Sequence, residues 1–248
     1  MTQDESLLRQ FRAAAAADLT DLAALHDREV DAAALDRLRV AAADGLLRLR
    51  LVNEDGRAAL FLFGEALAGL PGVIDDALAD ALAADYADIY LTYGLRAAPN
   101  ESVWLDEDNL AMQAPMFEVR SLYQRHGLQV PDWRRRADDH LVHELQFLAH
   151  LLDPESGDTL AEAAAFLDEH LLLWLPDFSA RVARRCATPF YAGLAAVTAA
   201  YLDELRELLE RVLGKPRTPR EEVEERRRRA RESEPAPAAF VPGSALTW

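Results

Sequence analysis

Apolar residues recur at helical spacing through most of the chain. Leu7, Leu8, Phe11, Leu19, Leu22 and Leu25 make one such stripe up to Asp27, since positions three and four apart share a helix face. Asp31 stands where a cap belongs, before a second helix carrying Leu35, Leu38 and Val40. Residues 46–52 read differently. Arg48 and Arg50 alternate with leucines, a strand-like period of two, and Asn53-Glu-Asp-Gly56 reads as the turn that follows. Further helices are expected over residues 57–70, stopped by Pro71-Gly72, and over 75–94, along a seam of Leu78, Leu82, Tyr86, Ile89, Tyr90 and Tyr93. Residues 97–105 break the pattern and read as an ordered connector. Helices then follow over 109–125, closed by Gly127, over 138–152, over 159–173 and over 189–213. Trp174-Leu-Pro-Asp-Phe178-Ser179 and a short basic segment separate the last two. Neither paired strands nor an internal repeat is visible, and the expected class is all-α.

Composition agrees with that pattern. The chain has 248 residues, half of them hydrophobic, enough to bury a sizeable core. Ala and Leu dominate and β-branched residues are sparse, a bias that favours helix. After Gly214-Lys-Pro the character changes. The stretch to Glu232 is almost all charge, with four consecutive arginines from Arg226 to Arg229, and the end carries Phe240 and Trp248. The expected organisation is a helical body over 1–213, its N-terminal segment (1–98) and C-terminal segment (106–213) joined by a connector at 99–105. A flexible charged tail over 214–248 follows, with room for one charged helix, because its composition cannot bury a core.

Charge narrows the function classes. With 43 acidic against 27 basic residues the net charge is −16. Such a field repels nucleic acid and anionic lipid and attracts cations. A single cysteine, Cys186, leaves no intramolecular disulfide and fits a reducing compartment. The polar first residues lack the form of a signal peptide, and no apolar stretch is long enough to span a bilayer. The expectation is a soluble cytoplasmic protein.

Candidate chemistry concentrates in one region. Tyr123-x-x-x-Gly127-Leu128 leads through a basic loop, with Arg134, Arg135 and Arg136, into Asp138-Asp139-His140, and an apolar helix follows. A helix start leaves backbone N–H groups unpaired, so Asp138 and Asp139 are cap candidates and Asp139–His140 is an acid–base candidate. His140, His143 and Glu144 fall on one helix face, the basis of an alternative reading as a helical metal-dependent hydrolase. Against it, there is no Glu-x-x-His in the chain and no nucleophile or phosphate-cradling motif. Cys186 reads as a half-buried small residue, and the aromatics between Phe166 and Tyr191 read as core.

Six segments in order resemble the TorD/DmsD family of molybdoenzyme maturation chaperones. They are the Leu22–Leu38 segment with Glu29-Val30-Asp31, Asp85-Tyr86-Ala-Asp-Ile-Tyr90-Leu, Pro99-Asn-Glu101-Ser102-Val103-Trp104, and Tyr123…Gly127-Leu128. Asp139-His140-Leu141…Glu144-Leu145 and Phe166…His170…Trp174…Phe178 with Phe190-Tyr191 complete the set. The chain departs from the family's Glu-x-Pro-x-Asp-His pattern: Ala137 replaces the proline, and Arg135 or Arg136 takes the acidic position. The resemblance implies a non-enzymatic all-helical bundle, without a cofactor of its own, acting as monomer or homodimer. Its implied partners are an apo-molybdoenzyme catalytic subunit and that subunit's twin-arginine signal peptide, held back while the cofactor is inserted. The implied client site comprises Asp139 and His140, supported by Tyr123, Glu144, Trp104 and Glu101.

Overall fold

The computed structural model describes residues 2–233. Eleven helices are found there: α1 Gln3–Asp27, α2 Ala32–Asp44, α3 Glu54–Ala68, α4 Asp76–Tyr86, α5 Ser102–Leu105, α6 Ala114–Arg125, α7 Leu141–Leu152, α8 Leu160–Phe166, α9 Leu172–Arg185, α10 Pro189–Leu213 and α11 Arg220–Ser233. The all-α class is confirmed: among the described residues extended pairing is limited to one isolated antiparallel bridge, Asn100 with His140.

Local chemistry sets the helix ends. Thr2 and Glu5 form a reciprocal capping box on α1. The side chains of Asp31, Asn53 and Asp75 accept backbone N–H groups at the starts of α2, α3 and α4. Asn53 therefore opens a helix, rather than the turn expected over 53–56. Gly214 closes α10 in the left-handed region at φ 63°.

α1 packs along α7, and α10 packs between α3 and α9. Leu19, Leu22, Leu145, Leu148, Trp174, Phe178, Leu194 and Tyr201 meet in the shared core. At the α3–α10 crossing an added Cβ on Gly193 would lie 2.7 Å from the Phe63 ring, so the two backbones can approach this closely only with glycine there.

Two expectations fail for identifiable reasons. Residues 46–52 form no strand. The Arg48 and Leu49 N–H groups donate to Asp18 of α1 at 2.8 and 2.9 Å, and the Val52 and Asn53 N–H groups donate to Glu204 of α10 at 2.6 and 3.2 Å. Buried carboxylates thus take the donors that a strand partner would have used. Further on, the separator expected over Trp174–Ser179 and the basic segment after it is helical instead: α9 runs through Pro176. Trp174, Leu175, Phe178 and Val182 are all buried along α9. Burying them outweighs the one hydrogen bond a proline cannot donate, a cost of about 3 kcal/mol.

Two helices end in single π turns, Ala87–Leu91 after α4 and Leu167–Leu171 after α8. The chain beyond residue 213 is not uniformly loose. Its α11 docks on the body with Val223 only 2% exposed. One valine and a few ion pairs suffice to seat a helix on an acidic surface, which bulk composition does not reveal. Phe240 and Trp248 lie outside the described residues.

Candidate functional site

The site is built where the connector at residues 99–105 crosses the start of α7. Two backbone hydrogen bonds fasten it: Glu101 N–H to the Asp139 carbonyl at 3.0 Å, and Leu141 N–H to the Pro99 carbonyl at 2.8 Å. Asp139 sits beneath this crossing. Its carboxylate accepts the Ser102 N–H at 2.8 Å, the Ser102 hydroxyl and, at 3.4 Å, the Asn100 amide. It therefore caps α5, a helix without a side-chain cap of its own. Burial pushes the Asp139 pKa above the ordinary carboxylate range, against the opposing pull of the Ser102 donors.

The cap of α7 falls to His140, not to the aspartates. Its Nδ1 accepts the Val142 N–H at 3.2 Å, which requires that nitrogen to be unprotonated. Burial supplies this condition by holding the His140 pKa well below its usual value. Asp138 faces the other way. Arg120 Nη2 donates to its carboxylate at 2.8 Å, and the Tyr123 hydroxyl donates to its carbonyl at 3.0 Å.

A buried polar group lies behind the connector. Glu101 has zero exposure and accepts from His170 Nδ1 at 2.9 Å and from Arg227 Nη2 at 3.0 Å. Burial alone would raise its pKa, but His170 and Arg227 prevail and hold it at about 2. Neighbouring Glu144 is equally buried and goes the opposite way. Burial and the charge of Glu101 push its pKa well up, while Trp174 Nε1 donates to it at 3.2 Å. Two carboxyls in one dry pocket are thus driven into opposite protonation states. The π turn Leu167–Leu171 places His170 against Glu101, and it turns Asp168 onto Arg206 of α10, paired at 2.8 and 2.9 Å.

Of the six residues expected to meet a client, Asp139, His140, Tyr123, Glu144 and Glu101 are buried and Trp104 is half-buried. Asp139 and His140, at 0% and 4% exposure, hold segments together rather than offering themselves to solvent. Trp104 donates to the Ala98 carbonyl at 2.9 Å and carries the Arg181 guanidinium 4.4 Å above its ring.

The accessible surface is adjacent. A depression of about 490 Å³ is lined by Asp27, Tyr123, Leu128, Val130, Arg136, His143, Phe147 and His150. It is continuous through Tyr123, Leu128 and Val130 with a smaller one of about 210 Å³ bounded by Arg120, Trp133 and Asp138. The basic loop at 129–137 forms the shared wall. Its Arg136 pairs with Asp27 rather than with Asp139, and Arg120 lies 4.7 Å over the Trp133 ring.

The metal reading finds no support in this geometry. His140 Nδ1 is committed to the α7 cap and Glu144 faces Trp174, while His143 Nδ1 pairs with Gln146 at 3.3 Å. No cluster of three or more metal-capable side chains forms among the described residues. Cys186 is half-buried with its Sγ donating to the Thr188 carbonyl at 3.2 Å, and burial pushes the thiol up to about 11, so it stays a thiol at neutral pH.

Sequence reasoning placed His170 only in a family-like segment and Arg227 only in a charged run, and joined neither to Glu101. The usable signal was an acid and two bases in or beside apolar helices, but nothing in their spacing joins residues 69 and 126 positions apart.

No helix among the described residues is long and apolar enough to cross a membrane. A family model described as "Nitrate reductase delta subunit" matches residues 57–180, half of the chain, and takes in the connector, α7 and every wall of the depression except Asp27. The chain is similar to the protein named "Chaperone protein TorD" from several bacteria. It is 31% identical to that of Vibrio cholerae serotype O1 over 141 residues, covering 53% of this chain and 64% of the relative. Identity to the Vibrio vulnificus protein is 32% over 129 residues (48% and 60%), and to the Aliivibrio salmonicida protein 27% over 131 residues (49% and 61%). The chain thus spans less than two thirds of the length of these relatives. With the family model across its central half and TorD relatives beside it, the chain belongs to the TorD/DmsD family.

Proposed function

We propose that this protein is a molybdoenzyme maturation chaperone of the cytoplasm. It binds the twin-arginine signal peptide, the apo form, or both, of a molybdopterin-containing oxidoreductase while the cofactor is inserted. The supporting observation is the depression beside the start of α7. Apolar walls from Leu128, Val130 and Phe147 stand beside the charged Asp27 and Arg136, which suits a segment with a cationic start and an apolar stretch. The names of the similar proteins fit this reading and carry no reaction. Asp139 and His140 act in it as positioning residues: they fix the connector and the start of α7, while Trp133 and His143 meet the client.

The test is calorimetry with a synthetic peptide bearing two consecutive arginines followed by an apolar stretch. Trp133→Ala combined with His143→Ala is expected to weaken binding at least ~10-fold, in line with truncation of aromatic anchors, and to leave helical circular dichroism unchanged. Unaltered affinity would remove the depression from the function.

A further inference from the structure

α11 is an arginine-rich helix seated on an acidic face. Arg227 reaches inward to Glu101 at 3.0 Å, to Glu118 at 3.2 Å and to the Glu169 carbonyl at 2.6 Å. Around it Arg226 pairs with Glu169 at 3.0 Å, Arg231 with Glu107 at 3.6 Å and Arg220 with Asp177 at 3.7 Å. Every acid in this set belongs to the body and every base to the helix. Val223, 2% exposed, makes an apolar contribution to the contact. Leu110, Met112 and Phe117 are exposed on the segment that leads into and opens α6, beside Glu118.

Such a contact is exchangeable. Exposed ion pairs contribute about 0–1 kcal/mol each and weaken with salt. The exception is the inner pair, because Glu101 is wholly enclosed and already held by His170. A guanidinium therefore has a prepared seat at Glu101, and the outer pairs hold its carrier only loosely.

We propose that the face formed by Glu101, Glu118, Glu169 and Glu107 is a docking site for an arginine-bearing segment, filled in cis by α11 and contested by a client segment with two adjacent arginines. This rests on the reading of the protein as a client-binding chaperone and gives it a gate. One arginine of the entering pair takes the place of Arg227 and its neighbour meets Glu118 or Glu169. The following apolar residues lie along Leu110, Met112 and Phe117. Phe117 stands 5.2 Å from the Arg120 guanidinium, which also covers Trp133, so this face and the depression adjoin through the outer side of α6. As a covalently attached competitor, α11 acts at a high effective concentration, and only a segment engaging both surfaces displaces it.

The full-length chain tests this with two probes. One is a fluorescein-labelled copy of residues 218–233; the other is the unlabelled twin-arginine peptide. Two variants release α11 without touching the inner acids: Val223→Asp, and Arg226→Glu combined with Arg231→Glu. Both are expected to bind the labelled copy at least ~10-fold more tightly than the parent chain, with affinity falling as salt rises. The twin-arginine peptide is expected to displace the copy, and in the parent chain to speed amide exchange in α11. Equal affinity of parent and released variants for the copy, in both variants, overturns the docking site. Copy binding that the twin-arginine peptide fails to displace overturns the competition. Loss of client binding in the depression variants is read separately, because those residues do not contact α11.

Discussion

Two irregular crossings do opposite things with the same device. Residues 46–53 and 99–101 both run without regular structure over packed helices, and both are stapled by buried carboxylates that accept backbone N–H groups. At the first, Asp18 takes the Arg48 and Leu49 N–H groups, the Arg48 guanidinium and the Tyr201 hydroxyl, at 2.8 to 3.3 Å, and Glu204 takes two more backbone donors. At the second, Asp139 supplies the staple, but the crossing brings its own buried acid. Glu101 needs His170 and, from the last described helix, Arg227. Beside it one nitrogen of Arg227 has no hydrogen-bond partner. The first crossing is closed on itself. The second is completed by a stretch of the chain held at the surface, and incompleteness of that kind marks a place where something can exchange.

The largest effect should come from breaking the closed crossing. Asp18→Ala strands two backbone donors and the Tyr201 hydroxyl, while Arg48 keeps Asp21, and is expected to cost about 2–5 kcal/mol in urea unfolding, with affinity per folded molecule unchanged. A loss of client binding as large as that of the depression variants would erase the distinction between the crossings.

Asp139→Ala comes next, at about 1–3 kcal/mol for the lost α5 cap and its hydroxyl partner. Here a fall in client affinity should accompany the destabilisation, because the connector is released from the start of α7. Destabilisation with full affinity would make Asp139 another Asp18.

The smallest effect separates the regions by pH. His26 lies in the scaffold between the Tyr90 hydroxyl at 2.5 Å and Thr198 at 2.9 Å, and burial holds it at about 3, far below 6.5. The unfolded chain protonates it first, so its contribution is full above pH 6.5 and is lost as pH falls towards 3. Glu144 has the reverse sign. Its folded pKa is raised, so its contribution is full below pH 4.5 and is lost as pH rises through the folded value. Glu144→Gln should therefore steepen the acid-side loss of stability just above pH 4.5 by up to about 1.4 kcal/mol per pH unit. An unchanged slope would mean that Glu144 titrates normally.

How far the sequence revealed this follows the same division. Capped amphipathic helices were readable where the information is local: Asp31 lies next to the helix it starts and reads as its cap, whereas Asn53, just as close to α3, reads equally well as a turn. The neighbourhood of the site was readable too, since Tyr123, Gly127, Asp139 and His140 lie within one short stretch. Their burial was not, because whether a polar pair faces solvent depends on a connector some forty residues upstream. Residues 46–52 misled for a related reason. Alternation marks a half-buried extended segment, but the donors' destination is set by Asp18 and Glu204, which periodicity does not see. The acid excess was likewise only partly a matter of solubility. Asp18, Asp85, Asp139 and Glu204 are structural staples, Asp85 holding the Ala187 and Thr188 N–H groups at 2.8 and 2.6 Å.

The π turn at Leu167–Leu171 makes the spacing between α8 and α9 a matter of counting. Each residue of an α-helix turns the chain by about 100°. Shortening this turn by a single residue would swing His170 away from Glu101 and Asp168 away from Arg206 together, or else rotate the whole of α9 and its tryptophan out of the core. Substitutions here change one contact at a time, whereas a one-residue deletion would disconnect both sides of the molecule at once.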